Sequence, residues 1–303
     1  MIGFVFSGQG AQFVGMGKDL AEADPAVMAL YDRANEVLGF DLKGVCFDGP
    51  AEALTKSDVC QPAIFTTSMA CLAAFKKAHP QVAASCLAGL SLGEWTALCV
   101  ADVLSFEDTL KILQARGRFM QEACDANPGG MLSVMNATDE QLAALCDAAG
   151  ITIANINSSA QVVLSGAKDG IEKAKVLCAE QKIKAIPLQV AGAFHSPLMT
   201  PARNKLATFF AETNFAAPTT TVYANVTGKP HEACGYVVRD TMLLQVTNTV
   251  RWADCVQNMI ASGVNSFIEF GPGKVLSGLI GRINKDVKVQ NVQDAATLAA
   301  LSL

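Results

Sequence analysis

The segment Gly89-Leu90-Ser91-Leu92-Gly93 has the spacing of a serine held out on a sharp turn between a strand and a helix. An apolar run, Val82 to Leu90, precedes it, and a helix-forming stretch, Trp95 to Leu104, follows. Glycines at both ends allow close packing, and the N–H groups at a helix start face developing negative charge. Such a serine can attack a carbonyl carbon; the same five residues can also form a turn with no chemistry. A serine nucleophile needs a base, and the chain has 3 histidines. His79 precedes a proline at the expected end of a helix, and His231 lies in the polar loop Lys229-Pro230-His231-Glu232, so both are expected to be solvated. His195 lies in Gly192-Ala193-Phe194-His195-Ser196-Pro197, between a strand and a helix, where catalytic loops often sit. An imidazole of ordinary pKa, ~6.5, is largely neutral at pH 7 and can take the serine proton. The bland role for His195 is to cap the helix that follows.

Two other glycine loops do not bind nucleotides by their pattern. Gly8-Gln9-Gly10-Ala11-Gln12 follows the first strand, but Phe13 stands where a dinucleotide fingerprint has its third glycine. This loop could instead supply a backbone N–H to an oxyanion. Gly271-Pro272-Gly273-Lys274 lacks the first glycine of a P-loop, since Ile268 occupies that place.

The elements that must position these residues follow from apolar periodicity and capping. Ile2 to Phe6 reads as a buried strand entering a glycine loop. Pro62 is placed in the first turn of a helix that ends near His79-Pro80, with Ile64, Phe65, Ser68, Leu72 and Phe75 on one face. Ser105, with Asp108 three residues on, caps a helix to Glu122. The middle of the chain alternates differently: strand Met131 to Met135, a helix opened by Thr138-Asp139-Glu140 and closed by Gly150, strand Ile151 to Ile156, strand Gln161 to Leu164, helix Ala167 to Gln181, and strand Ile183 to Val190. This β-α-β-β-α-β order is that of a ferredoxin-like unit inserted at 125–190 into a larger α/β domain, 1–124 and 191–303. Ser196-Pro197 starts a further helix, and Val264 to Phe270 is a late strand.

Composition sets the outer limits. Of 303 residues, 51% are apolar and 17% charged, against roughly 25% charged in an average globular chain, so a large core can form. A net charge of −5 with no basic block disfavours nucleic-acid binding. The longest largely apolar stretch, Ala63 to Phe75, is broken by Thr66, Thr67 and Ser68 and falls short of the ~20 residues of a membrane span. The start MIGFVFSGQG does not read as a secretory signal. The 10 cysteines form no Cys-x-x-Cys pair and most sit in apolar contexts, as expected of buried thiols in a cytoplasmic protein without a metal or disulfide framework.

Taken in chain order, FSGQGAQFVGMG, QPAIFTTSMA, GLSLGEWTAL, RGRFMQEA, ANINSSAQVVLSG, GAFHSPLM, NTVRW and IEFGPGKVL resemble the malonyl-CoA:acyl carrier protein transacylases of bacterial fatty-acid synthesis. The resemblance implies a large α/β-hydrolase-like domain with the ferredoxin-like insertion. It implies Ser91 as acylated nucleophile, His195 as base, and the Gln9 and Leu92 N–H groups as the oxyanion hole. Arg116 would hold the malonyl carboxylate, and the Gln245 carbonyl would orient His195. Phe194 would crowd a 2-methyl branch, a steric effect worth about 1–3 kcal/mol. Asn155 and Asn157 would line the cleft from the small domain. Malonyl-CoA and acyl carrier protein would be the partners, with no cofactor or metal beyond the phosphopantetheine that the carrier brings and no nucleic acid or membrane; the resemblance fixes no oligomeric state. Leu90 departs from the histidine usual before the nucleophile, and Trp95 from the usual tyrosine. A serine esterase or thioesterase, a polyketide-pathway acyltransferase, and a carrier-docking module without catalysis are the competing readings.

Overall fold

Each strand expected from the apolar runs is present in the computed structural model, which describes residues 1–302, but the strands divide between two sheets. The chain opens with β1 (Ile2–Phe6), followed by α1 (Lys18–Ala23), α2 (Pro25–Leu38), α3 (Leu42–Asp48), α4 (Ala51–Thr55) and α5 (Ser57–Ala78). Next, β2 (Cys86–Gly89) turns into α6 (Leu92–Val100), and α7 (Phe106–Ala126) leads to the middle segment. That segment comprises β3 (Gly129–Met135), α8 (Asp139–Ala149), β4 (Thr152–Ser158), β5 (Gln161–Ala167), α9 (Lys168–Glu180) and β6 (Lys184–Pro187). After a 3-10 turn at Pro197–Met199 come α10 (Thr200–Phe210), α11 (Gly235–Gln245), α12 (Trp252–Ala261), β7 (Ser266–Phe270), α13 (Val275–Ile283), β8 (Lys288–Val292) and α14 (Ala295–Ala299). Among the described residues no helix is long and apolar enough to cross a membrane.

The first sheet has the order β2-β1-β7-β8 and every pairing in it is parallel. Its central strands read as apolar runs because both faces are covered. Phe4, Phe6, Ile268 and Phe270 face the core shared with α5, α6 and α7, while Val5, Ala88 and Phe267 face Trp252 and Val256 of α12. The second sheet, β4-β5-β3-β6, is antiparallel throughout. One of its faces packs Leu132, Val134 and Leu164 against α8 and α9; with the strand period of two, Met131, Ser133 and Val163 point the other way. The fold is thus mixed α/β, with one parallel and one antiparallel sheet. The second sheet is tied to the rest of the chain at Val250, whose N–H donates to Ala154 O at 2.8 Å and whose O accepts from Ile156 N at 2.9 Å.

Several expectations about element bounds need correction: the strand expected over Val82 to Leu90 spans only Cys86–Gly89, and the helix expected over Trp95 to Leu104 is Leu92–Val100. Pro62 does not open its helix: α5 begins at Ser57, and Pro62 lies inside it. The helix is buried almost continuously from Cys60 to Phe75, so packing outweighs the one backbone bond that Pro62 cannot donate. The strand expected to reach Val190 ends at Pro187; Leu188 still donates its N–H to Met131 O at 3.0 Å, and Leu188 to Val190 line a cleft.

Candidate active site

Ser91 sits between β2 and α6 with φ 53° and ψ −95°, a left-handed backbone that a side-chain-bearing residue adopts at a cost of about 1–3 kcal/mol. The flanking glycines let the turn close. A Cβ on Gly93 would lie 2.1 Å from the Phe6 carbonyl oxygen, and one on Gly89 would lie 2.0 Å from the Gly93 carbonyl carbon. The turn is clamped on both sides: Ser91 N–H donates to Asn225 Oδ1 at 2.6 Å, and Gln245 Nε2 donates to Ser91 O at 2.9 Å. Asn225 Nδ2 in turn donates to Gly89 O at 2.8 Å.

His195 approaches from the loop before the 3-10 turn, itself at φ 56°. Its Nε2 lies 2.8 Å from Ser91 Oγ, and its Nδ1 lies 2.8 Å from the Gln245 main-chain oxygen. A carbonyl can only accept, so Nδ1 carries the proton and Nε2 presents its lone pair to the serine hydroxyl. Burial first, and the Arg116 charge second, push the imidazole down to about 4, so it is neutral at physiological pH.

Arg116, on α7, is 1% exposed. Its Nη1 donates to Gln61 Oε1 at 2.7 Å, and its Nη2 donates to Ser91 Oγ at 3.0 Å and Gln245 Oε1 at 3.2 Å. Nε has no partner among the described residues. Burial lowers its pKa to about 10, opposed by the charge of Glu94. A guanidinium surrounded by neutral acceptors is a costly buried cation, and an arriving carboxylate would offset that cost.

These groups open into a cleft of about 990 Å³. The structure brings Ser91, His195, Arg116 and Gln245 into direct contact. Gln9, Phe194, Asn155 and Asn157 line the same cleft, the two asparagines from β4. The Leu92 side chain is buried and does not line it; its amide opens α6, where an N–H has no intrahelical acceptor. Leu90 also faces the cleft, and Trp95 is wholly buried.

Four functional neighbours escaped the sequence reading. Gln61 holds Arg116, Asn225 holds the serine turn, and Glu94 and His231 form a buried pair at 2.7 Å between Oε1 and Nε2. The expectation that His231 is solvated is wrong: its side chain is 1% exposed because Glu94, 137 residues away, lies inside the fold. Glu94 follows Gly93 in an otherwise apolar helix start, and that misplaced charge was the available signal. His79 is only partly exposed, its ring 5.1 Å from that of Phe75.

The acyl transferase domain family matches residues 3–302. A malonyl CoA-acyl carrier protein transacylase from Bacillus subtilis is 39% identical over 98% of this chain and 95% of its own length. A polyketide biosynthesis malonyl CoA-acyl carrier protein transacylase from the same organism is 36% identical over 95% of this chain and 99% of its own. The crystal structure of an acyl carrier protein S-malonyltransferase from Vibrio cholerae superposes with a TM-score of 0.95 at 40% identity, covering 99% of each chain. With the match spanning nearly every residue and relatives of near-equal length, this chain belongs to the malonyl CoA-acyl carrier protein transacylase family of acyl transferase domains.

Proposed function

We propose that this chain moves the malonyl group of malonyl-CoA onto the phosphopantetheine thiol of an acyl carrier protein, through a malonyl ester on Ser91, and so supplies fatty-acid elongation. The observation that carries the reading is Arg116: a buried cation with neutral partners whose Nη2 lies 3.0 Å from Ser91 Oγ. A substrate that puts a carbonyl on Ser91 and a carboxylate beside it satisfies both groups, and malonyl thioesters do so.

In the first half-reaction Ser91 Oγ attacks the thioester carbonyl while His195 Nε2 takes its proton. The N–H groups of Gln9 and Leu92 receive the oxyanion. The C–S bond breaks, and His195 returns the proton to the departing CoA sulfur. In the second, the carrier's thiol gives its proton to His195 and attacks the ester carbonyl; the C–O bond breaks and Ser91 regains the proton. The Gln245 carbonyl holds the imidazole throughout, so no third acid is needed. Phe194, beside the base, narrows the space for a branched acyl group. On this reading CoA and phosphopantetheine arrive as substrates, and no resident cofactor takes part.

The same proposal covers the architecture: an α/β-hydrolase-like domain, 1–124 and 191–303, carries the dyad, and a ferredoxin-like insertion, 125–190, supplies the far wall. The order β4-β5-β3-β6 from a β-α-β-β-α-β chain supports the second label.

Intact-mass spectrometry after mixing with malonyl-CoA tests the chemistry. The expected result is one malonyl adduct on Ser91, absent in Ser91→Ala. Arg116→Ala is expected to lower malonyl transfer by about 100-fold, the worth of a charge-assisted bidentate contact, while acetyl transfer falls much less. An unlabelled wild-type enzyme, or an unchanged malonyl preference in Arg116→Ala, would refute the scheme. Rates with carriers from fatty-acid and polyketide pathways decide which pathway it serves.

A further inference from the structure

Glu94 lies three residues after Ser91 and is 0% exposed. A carboxylate there must have its oxygens satisfied. Oε1 meets His231 Nε2 at 2.7 Å, and Oε2 accepts from Gln245 Nε2 at 2.6 Å and from the Asn225 N–H at 3.2 Å. Gln245 is the junction of the whole site. Its main-chain oxygen accepts from His195 Nδ1, its Nε2 also donates to Ser91 O, and its Oε1 accepts from Arg116 Nη2.

An amide has one donor end and one acceptor end, so its orientation decides what it can hold. With Nε2 on the Glu94 carboxylate, Oε1 must face Arg116. The flipped amide would set oxygen against carboxylate and an NH2 group against guanidinium, two unfavourable contacts at once. We propose that Glu94, anchored by His231, is a positioning residue: it locks the orientation of the Gln245 amide and thereby aims Arg116 and steadies the carbonyl that holds His195. Glu94 touches no substrate and transfers no proton. This inference rests on the malonyl-Ser91 reading and names a residue that acts behind it.

A kinetic cycle tests it, with rates expressed per active site counted by a fluorophosphonate that labels Ser91. Glu94→Ala is expected to lower kcat/KM for malonyl-CoA by about 10–100-fold, with a raised KM, while acetyl transfer falls several-fold less because it does not use the guanidinium. Glu94→Gln keeps an oxygen for Gln245 and an NH2 for His231, and should restore most of the activity. Gln245→Ala is expected to resemble Glu94→Ala, and the double variant should be no slower than the worse single one, because both remove the same link. Where Glu94→Ala does not fold, Glu94→Asp, one methylene shorter, takes its place in the cycle with the same expectation. Losses that multiply in the double variant, or that appear only as fewer labelled sites, would overturn the role. A wild-type enzyme that forms no malonyl-Ser91 would instead remove the reading beneath it.

Discussion

The parallel sheet β2-β1-β7-β8 is covered on both faces, whereas the antiparallel sheet β4-β5-β3-β6 covers one face with α8 and α9 and turns the other towards the cleft. Ser91 leaves the end of a strand of the first sheet in a left-handed backbone, held by contacts to β1, Asn225 and Gln245. Asn155 and Asn157 project from β4, where its pairing with β5 is irregular, and neither has the positive φ of Ser91. The difference teaches where each kind of function can be built. A strained nucleophile needs surroundings that cannot relax, and a doubly covered sheet supplies them. Side chains that only contact a substrate can ride on a sheet with one open face.

Glycine-to-alanine changes beside the first sheet, in α6, and within the second, in β3, give the sharpest contrast. A Cβ at Gly93 would lie 2.1 Å from Phe6 O and 3.0 Å from Ser7 O, both backbone atoms that cannot step aside. Gly93→Ala is therefore expected to abolish the malonyl-Ser91 adduct in intact-mass spectra and to lower the melting temperature, with a cost of at least ~1–3 kcal/mol. At Gly130 in β3 the nearest atoms to an added Cβ are Ile171 side-chain carbons at 3.8 and 3.9 Å. Gly130→Ala should acylate like the wild type and gain about 0.4–1 kcal/mol from a less flexible unfolded chain. A Gly93→Ala enzyme that acylates normally would break the comparison.

The two walls also differ in how they titrate. His195 stands on the large-sheet side, and residues 125–190 contain no histidine. Burial and then Arg116 hold the imidazole at about 4, below its ordinary 6.5. The base stays neutral as pH falls through 6, so the acid limb of kcat/KM for malonyl-CoA is expected near pH 4. Stability runs the same way: the unfolded chain binds the proton from about 6.5 downward and the folded chain only near 4, so the contribution is full above 6.5 and is lost as pH drops through that window. A malonyl carboxylate on Arg116 cancels part of the charge that depresses His195. The imidazole in the malonyl enzyme should thus titrate higher than in the free enzyme, as NMR of the ring resonances would measure. An acid limb at 6.5 in the free enzyme would mean that the imidazole is more hydrated than its burial implies.

What could be read in the residues was what is local. Ile2–Phe6 is a strand with the expected bounds, because its four apolar residues and Gly3 end at a serine-glycine step. Thr138 caps α8 with Gln141, and Gly150 ends it in the left-handed region, so that helix was legible at both ends. Ser91 announced itself through its glycines. Arrangements that depend on distant partners left no such mark. His231 looked solvated because its neighbours are polar, yet its environment is set by Glu94. The hold on His195 is a main-chain carbonyl, and every residue has one, so only the resemblance pointed to Gln245. The short helices α1, α3 and α4 and the edge strand β8, with its mixed sequence Lys-Val-Gln-Asn-Val, have too weak a period to be read alone, whereas α2, with Asp24 as its cap, Pro25 at its start and Gly39 at its end, carries local signals that mark both of its ends.

The smallest expected effect lies on the open-faced sheet. Asn157 Oδ1 is buried without a hydrogen-bond partner among the described residues, although the residue lines the cleft. An unpaired buried acceptor costs the free protein about 1–3 kcal/mol, which a donor arriving with the substrate can return. The pantetheine arm common to CoA and carrier protein bears amide N–H groups of that kind. Asn157→Ala removes the orphaned oxygen, so it should leave thermal stability unchanged or raise it while raising KM for malonyl-CoA roughly 3–10-fold. Because Asn157 touches neither Ser91 nor His195, kcat at saturation should hold. Asn155→Ala, on the same strand and without an orphaned atom, should raise KM less and give no gain in stability. Differential scanning calorimetry together with steady-state kinetics on the two variants separates these outcomes. A large fall in kcat for Asn157→Ala would place the small sheet inside the chemistry and erase the division of labour between the two sheets.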